Sequence, residues 1–487
     1  MITQAQWKAI NGRIDDDFED TIAAIRGYLG QPGFSHSGEG MRDSAEMTRG
    51  LLEAAGAEDL ELVETGGHPF VYGHMRSRQT DARTLIIYSH YDMVPLMDIS
   101  QWVGPPLEAP IVDATEIGAP ARLGKVIVGR ASNDYRGPLL ATLRALKSMR
   151  EVTGDIPVNL IWAIDGEEEI GAPNIHTFIE KKRGELQAGE AVWMPGMHQD
   201  TAGIMQVYRG YKGNAKIEIE IKGGAWGGTV TGKESWAANL PWMDAPMWRM
   251  IRLLQTLVDD DDLPSIDGMD ELFAAYTDED KEQLAIIRER LDVKKLKAQL
   301  GIARFKQGQD PHELVENFIM KTVVNVVGIV GGYTGPRVYS TLPMDVVAKV
   351  ECRFTPGVTY ADVQRLLRAH LDHHGFPEAE LRFLGGYEVA RSSAREEIYE
   401  AAFRACQKHN CEYLVWPIKP ASAPFAHFNR PPLSKPLIFV GMGHGDRWHQ
   451  PNEYITVEGV RDHMKYVATF LNEWAESAAA YPDGAAV

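Results

Sequence analysis

Between Val158 and Gly171 an apolar, β-prone run breaks abruptly into acid: Val-Asn-Leu-Ile-Trp-Ala-Ile is followed by Asp165-Gly-Glu-Glu-Glu-Ile-Gly171. A run this apolar reads as a buried strand, and its end delivers Asp165, Glu167, Glu168 and Glu169 to one edge of the sheet that contains it. Thr84 to Tyr88 is a second apolar run that ends in Ser-His-Tyr-Asp-Met-Val-Pro, so His90 and Asp92 also stand where a buried strand stops. Lys125 to Val128 gives a third, short strand. Helical segments alternate with these runs, Leu139 to Met149 before the acidic strand and Ile175 to Arg183 after it. The alternation predicts an α/β domain, a mostly parallel sheet with helices on both faces. In such sheets ligands bind at the carboxyl ends of the strands, where these polar side chains collect.

The N-terminal part reads as helix from Trp7 to Leu29 and from Met41 to Ala55, with strands over Leu60 to Thr65 and Phe70 to Met75. From about Tyr211 the pattern changes. Ala215 to Ile221 alternates polar and apolar residues, as a half-exposed antiparallel strand does. Helices are expected over Met247 to Val258, Glu279 to Leu300 and Tyr360 to His374, and strands over Asn325 to Gly328 and Val346 to Phe354. Residues 212–390 therefore read as an inserted α+β domain that interrupts a catalytic domain of 1–211 and 391–487. The latter resumes with a helix from Glu396 to Lys408, a strand from Pro436 to Val440 and a helix from Val457 to Glu476. An Ala-rich tail after Ala478 is expected to fray. A chain of 487 residues exceeds what one compact core holds, in keeping with two domains.

A net charge of −18, with both signs spread along the chain, disfavours nucleic acid and anionic membranes as partners. No apolar run approaches the roughly 20 residues that span a bilayer, and the first residues lack the apolar core of a secretory signal. Cys352, Cys406 and Cys411 are an odd number, which argues against a disulfide framework. A cytoplasmic protein is expected.

The groups gathered at strand ends are His90, Asp92, Asp134, Glu168, Glu169 and His449. Taken singly each has an ordinary explanation: an acidic run is usually a solvated turn, and Asp134, just before a helix, suits an N-cap. Together they are hard to place as core filler, because each buried charge costs several kcal/mol, on the order of the stability of a domain, unless paired or metal-bound. One divalent ion would satisfy them at once. Imidazole with carboxylate suits zinc, manganese or cobalt, and the lack of a thiolate favours a catalytic over a structural site.

Four segments, in order, carry a resemblance: His-x-Asp at His90 to Asp92, Asp-x-Arg-Gly at Asp134 to Gly137, Glu-Glu-x-Gly at Glu168 to Gly171, and His-x-Pro-Asn-Glu at His449 to Glu453. They resemble the motifs of the M20 metallopeptidases, a family that includes aminoacylases, carnosinase-like dipeptidases and glutamate carboxypeptidases. The middle block, with Asn325-Val-Val-Gly-Ile-Val-Gly-Gly-Tyr-Thr-Gly and Thr341-Leu-Pro through Arg353, looks like the lid of the dipeptidase-like branch. The resemblance implies that Asp134 bridges two metals, that Glu169 and His449 complete one site, and that His90 belongs to the other. It makes Glu168 the general base, and Asp92 the partner that fixes the His90 ring. It gives Glu167 no role, leaving it solvated. Arg136 keeps the charge of the family's usual Lys, and Asn325 and Arg353 match lid positions that bind substrate. A homo-oligomer, a dimer or larger, is expected from the lid.

Two departures stand out. Where the family has a carboxylate that ligates the His90-side metal, Ala191-Val-Trp-Met-Pro-Gly-Met places Met194, a poor ligand for a hard ion. Unless His198 or Asp200 substitutes, one firmly held metal is expected and a second is weak. Where the family has an oxyanion-steadying His, Lys222-Gly-Gly-Ala-Trp-Gly-Gly places Lys222. The substrate implied is a small carboxylate-bearing molecule cleaved at a C–N bond, a dipeptide or N-acyl amino acid. The alternative is a specialised aminohydrolase acting on an aminobenzoate, as in nitroanthranilate aminohydrolase, with Trp193, Trp226 and Trp448 beside motif positions.

Overall fold

The computed structural model describes residues 2–480. The chain divides into two compact units, each with its own sheet. The first contains the chain up to Gly210, Arg391–Trp416, and everything from His427 on; the second contains Tyr211–Ala390 and Pro417–Ala426.

The first unit is α/β. Its eight-stranded sheet runs in the order Glu58–Val63, Phe70–Met75, Asn159–Asp165, Thr84–His90, Ala191–Pro195, Leu437–Val440, Met205–Tyr208, Tyr413–Trp416. The four middle strands are parallel, as their near-continuous apolar runs require of strands buried on both faces. Antiparallel pairing appears towards the edges, between Phe70–Met75 and Asn159–Asp165 and between Leu437–Val440 and Met205–Tyr208. In the parallel register His90 lies opposite Asp165, so two chains leave the sheet side by side at its carboxyl edge. The Arg136–Thr153 helix is buried along most of its length through Leu139, Leu140, Leu143 and Leu146. Beside this sheet a four-stranded antiparallel sheet pairs Tyr454–Thr456 with Lys125–Val128, Tyr454 opposite Val128. That pairing brings the chain around His449 to the chain around Asp134.

The second unit is α+β. Val323–Val330, Asp345–Phe354, Gly213–Lys222 and Glu380–Tyr387 form an antiparallel sheet in that order. Alternate residues Val346, Ala348, Val350, Cys352 and Phe354 are buried, the period of a sheet with one covered face.

The expected single helices over Trp7 to Leu29 and Glu279 to Leu300 are each two. Gln4–Asp16 and Phe18–Leu29 part at Asp17, at the end of a run of three Asp that favours caps over helix interior. Asp278–Arg290 and Val293–Leu300 part where Asp292 caps the Lys295 N–H at 3.0 Å. The last helix, Val457–Ala480, runs into the tail expected to fray, and the remainder of that tail lies outside the described residues. Among the described residues no helix is long and apolar enough to cross a membrane.

His463, fully buried on the last helix, faces the Met442 carbonyl with Nδ1 at 3.2 Å and the Thr142 hydroxyl with Nε2 at 3.0 Å. Burial lowers its pKa to about 4 from an ordinary 6.5. A depressed imidazole pKa means that the fold holds the neutral ring. Its contribution is complete above pH 6.5 and is lost as pH falls towards 4, about 2 kcal/mol being gone by pH 5. Denaturant midpoints at pH 7.5 and pH 5 should converge more in His463→Gln than in the wild type; an identical pH dependence of the two proteins would remove His463 as a cause.

Candidate metal centre

His90 is the last residue of its strand and 1% exposed. Its Nδ1 lies 3.2 Å from Asp92 Oδ1, and its Nε2 lies 3.6 Å from Asp134 Oδ1. Asp92 is fully buried, and its other oxygen accepts the Glu169 N–H at 3.0 Å, tying the loop after one parallel strand to the loop after its neighbour. Asp134 and Glu169 then converge on His449, whose Nε2 lies 2.9 Å from Asp134 Oδ2 and 3.1 Å from Glu169 Oε2. Asp134, Glu169 and His449 can each offer a ligand atom within 4.8 Å of the others, as can His90, Glu168 and Glu169.

Glu169 Oε1 is buried without a hydrogen-bond partner, and Asp134 Oδ2 faces the His449 ring at 2.9 Å outside hydrogen-bond geometry. Unsatisfied buried carboxylate oxygens are costly, and here they point among imidazole nitrogens. The donor set, two imidazoles with carboxylates and no thiolate, fits a divalent ion of the zinc, manganese or cobalt type.

The electrostatics carry the same strain. Burial opposes charge on His90, but Asp134 and Asp92 outweigh it and hold the ring's pKa well above its usual value. Asp134 and then Glu169 push His449 up to about 11, and His449 and His90 hold Asp134 low against its own burial. In the absence of a cation, protons on the imidazoles balance the carboxylates. Glu168 has no such close partner. Burial pushes its carboxyl up to about 7, with His90 opposing and Asp134 assisting.

The family model of Peptidase family M20/M25/M40 matches residues 86–473. The chain belongs to this family. It is a hydrolase acting on C–N bonds. The Cys-Gly metallodipeptidase DUG1 of Saccharomyces cerevisiae is 22% identical over 470 residues, 89% of this chain and 90% of that protein. The Beta-Ala-His dipeptidase of Rattus norvegicus is 22% identical over 430 residues, 82% and 80% of the two chains. An M20 family metallo-carboxypeptidase from Sulfolobus solfataricus superposes with a TM-score of 0.83 at 27% identity, over 93% of this chain and 99% of that one.

Within this M20 centre three side chains do work that their motifs did not announce. Glu453, the last residue of the His449 motif, is fully buried and accepts the N–H groups of Ala131, Asn133 and Asp134 at 3.0, 3.0 and 2.9 Å, and the Arg130 guanidinium at 2.8 Å. It therefore fixes the loop that presents Asp134. Arg136, far from being a spare charge, is fully buried and bonds the Tyr91 carbonyl between His90 and Asp92, together with the Tyr28 and Gln31 carbonyls and the Ser44 hydroxyl. Glu167 is not solvated. It is 3% exposed, accepting the His68 N–H at 3.1 Å and the Asn174 amide at 2.8 Å, because the turn after Asp165 folds back under the loop at His68. Asp134 is not a helix N-cap either: Tyr135, at φ 71°, holds that position without a side-chain cap.

Met194 is buried in the Ala191–Pro195 strand opposite Phe439. Neither His198 nor Asp200 joins the two ligand groups among the described residues. Asp200 Oδ1 instead accepts the N–H groups of Ala202 and Ile204. Of the three tryptophans beside motifs, Trp448 adjoins the centre, edge-on to Tyr135 at 5.6 Å, while Tyr135 lies 5.3 Å from the His90 ring. Trp193 is core, bonded to the Val440 carbonyl. Trp226 lies in the second unit, bonded to the Lys222 carbonyl.

Lys222, Asn325 and Arg353 all lie in the second unit's sheet. Arg353 makes a two-pronged contact with Glu351, both at 2.9 Å, and a third bond to the Pro420 carbonyl. Asn325 is exposed opposite Glu351. Lys222 is half exposed between Glu220 at 3.1 Å and Glu380 at 3.5 Å. Arg353 pairs with Asn214, the far end of the strand from Lys222, so these two lie roughly 27 Å apart at the rise of an extended chain.

Truncating Glu453 leaves the Arg130 charge and three buried N–H groups unanswered. Glu453→Ala is expected to destabilise the fold by about 3–5 kcal/mol and to loosen metal retention, read by denaturant unfolding and by metal content after gel filtration. An unchanged unfolding midpoint would mean that the Asp134 loop is held by something else.

Proposed function

We propose that the chain is a metal-dependent dipeptidase that cleaves a C–N bond next to a free carboxylate. The observation that carries this reading is the convergence of Asp134, Glu169, His449 and His90 around buried, unsatisfied carboxylate oxygens, with Glu168 beside them. The M20 relatives whose names specify dipeptides, Cys-Gly and Beta-Ala-His, support the substrate class. Nothing favours the aminobenzoate alternative.

In this reading Asp134, Glu169 and His449 would hold one divalent cation firmly. His90, oriented by Asp92, serves a second and weaker position that lacks a carboxylate at Met194. A bound ion there supplies Lewis acidity and lowers the pKa of water. Glu168 would take a proton from the attacking water. A carboxyl group with a pKa near 7 accepts a proton readily and gives it back readily, as a general base that later becomes a general acid must. The water oxygen attacks the amide carbon, Glu168 takes the proton, and on collapse of the tetrahedral adduct the same proton goes to the departing nitrogen. Arg353, held in orientation by Glu351, is assigned to the substrate carboxylate and Asn325, opposite Glu351, to the substrate backbone, whereas Lys222, at the far end of the sheet, is assigned to the oxyanion in the site of a second copy of the chain.

A homo-oligomer assembled through the lid belongs to the same reading. Val323–Val330 is an edge strand with Val326, Val327, Ile329 and Val330 exposed, a poor surface to leave in water. Sedimentation of the full chain reads this directly. A cytoplasmic location is part of the same proposal, and the odd number of cysteines, which argues against a disulfide framework, supports it.

A panel of dipeptides, N-acyl amino acids and aminobenzoates tests the substrate class, and turnover confined to aminobenzoates would sink it. Glu168→Gln should keep its metal and lose hydrolysis by about 10²–10⁴-fold. Metal that survives gel filtration should number about one per chain and rise towards two in Met194→Glu; two firmly held ions in the wild type would mean that another residue fills the Met194 role.

A further inference from the structure

We propose that the second unit carries a transition-metal site of its own, formed by Asp267, His373 and His374 at the carboxyl end of the Tyr360–His373 helix. Asp267 Oδ2 lies 2.8 Å from His373 Nδ1 and 3.2 Å from His374 Nε2. All three residues can offer a ligand atom within 4.8 Å of one another.

What distinguishes the group from a chance surface pair is how its backbone is fixed. Asp267 is flanked by buried Ile266 and Met269, and its N–H donates to His370 Nδ1 at 3.2 Å. His370 is itself buried, its Nε2 meets the Thr256 hydroxyl at 3.0 Å, and its ring lies 4.1 Å from the His374 ring. Its nitrogens are thus spent on holding the loop, leaving His373 and His374 to ligate. On the other side buried Leu371 and Phe376 bracket the two histidines, with the Phe376 N–H bonded to the Leu371 carbonyl at 2.7 Å. Both backbone segments are anchored in the unit's core while the candidate ligands face water, His373 77% and Asp267 47% exposed. An ion can enter without opening the fold.

The charge pattern favours a cation. The carboxyl end of a helix carries partial negative charge, and Asp267 adds a full one. The Asp267 carboxylate faces His373 Nδ1 and His374 Nε2, an arrangement that a divalent ion completes. Two imidazoles and one carboxylate suit zinc, cobalt, nickel or copper, and suit magnesium or calcium poorly. Three protein ligands leave room for water, so the ion exchanges more freely than one in a closed structural site. Its effect is to clip the loop at Asp267 to the end of the helix, stabilising the folded unit by mass action.

The test uses the full chain, stripped with a chelator and dialysed to equilibrium against micromolar zinc at pH 7.5. Wild type should hold one zinc more than the His373→Ala, His374→Ala double variant, whose hydrolytic activity should equal that of the wild type. Asp267→Asn, which leaves both rings and the backbone N–H in place, should lose the same zinc. A variant disabled at the first centre, Asp134→Asn, should retain this zinc and lose it when the histidine pair is also replaced. Equal zinc content in the wild type, the double variant and Asp267→Asn overturns the proposal.

Discussion

Asp92, Asp134, Asp165, Glu168, Glu169 and Glu453 crowd one sheet edge, and the repulsion among them is the constraint to which the rest of the first unit responds. Each buried carboxylate costs several kcal/mol, roughly, unless it is paired or neutral. Each is answered differently. Burial and then Asp92 raise the Asp165 pKa well above the usual carboxylate value, and the carboxyl accepts the Tyr88 hydroxyl at 3.0 Å and the Glu167 N–H at 2.8 Å. Glu453 takes Arg130 and three backbone N–H groups. Asp92 is shared between an imidazole and a backbone N–H. What remains unanswered is Asp134, Glu168 and Glu169, of which Asp134 and Glu169 share His449. The candidate cation site is thus the negative charge left after the scaffold has answered the other carboxylates.

Placement follows a division between regular and irregular backbone. The parallel strands set His90 and Asp165 in register, and the small antiparallel sheet sets Tyr454 against Val128. The residues beyond those strand ends then bend in ways that regular structure cannot. Tyr135 and His449 adopt left-handed conformations, at φ 71° and 60°, although neither is glycine or asparagine. Each such residue costs on the order of 1 kcal/mol, and such strain gathers where geometry matters more than local comfort. Glu453, Arg130 and Arg136 supply the bonds that hold it.

Much of this was legible beforehand, for a physical reason. The apolar runs ending in His90 and in Asp165 announce buried strands, and buried parallel strands deliver their ends to one edge. The roles of Asp134, Glu169 and His449 rest on the family resemblance, since nothing in their spacing brings together residues more than 300 positions apart. Glu453 and Arg136 lay inside quoted motifs yet stayed silent, because their work is with backbone groups that a sequence does not display. Glu167 misled because an acidic run looks solvated whether or not a loop such as that at His68 folds over it. The helix breaks at Asp17 and Asp292 were hidden by periodicity that continues across a cap.

The second unit is not one insertion. The chain leaves the first unit after Gly210, returns at Arg391, leaves again after Trp416 and returns at His427. The short excursion, Pro417–Ala426, includes the Pro420 carbonyl that Arg353 bonds. A modular view, in which such a lid can be traded between relatives by swapping one contiguous stretch, therefore breaks down here. An exchange that moves Tyr211–Ala390 alone leaves behind ten residues of the unit's own fabric, and with them the Pro420 carbonyl that holds the Arg353 end of the sheet.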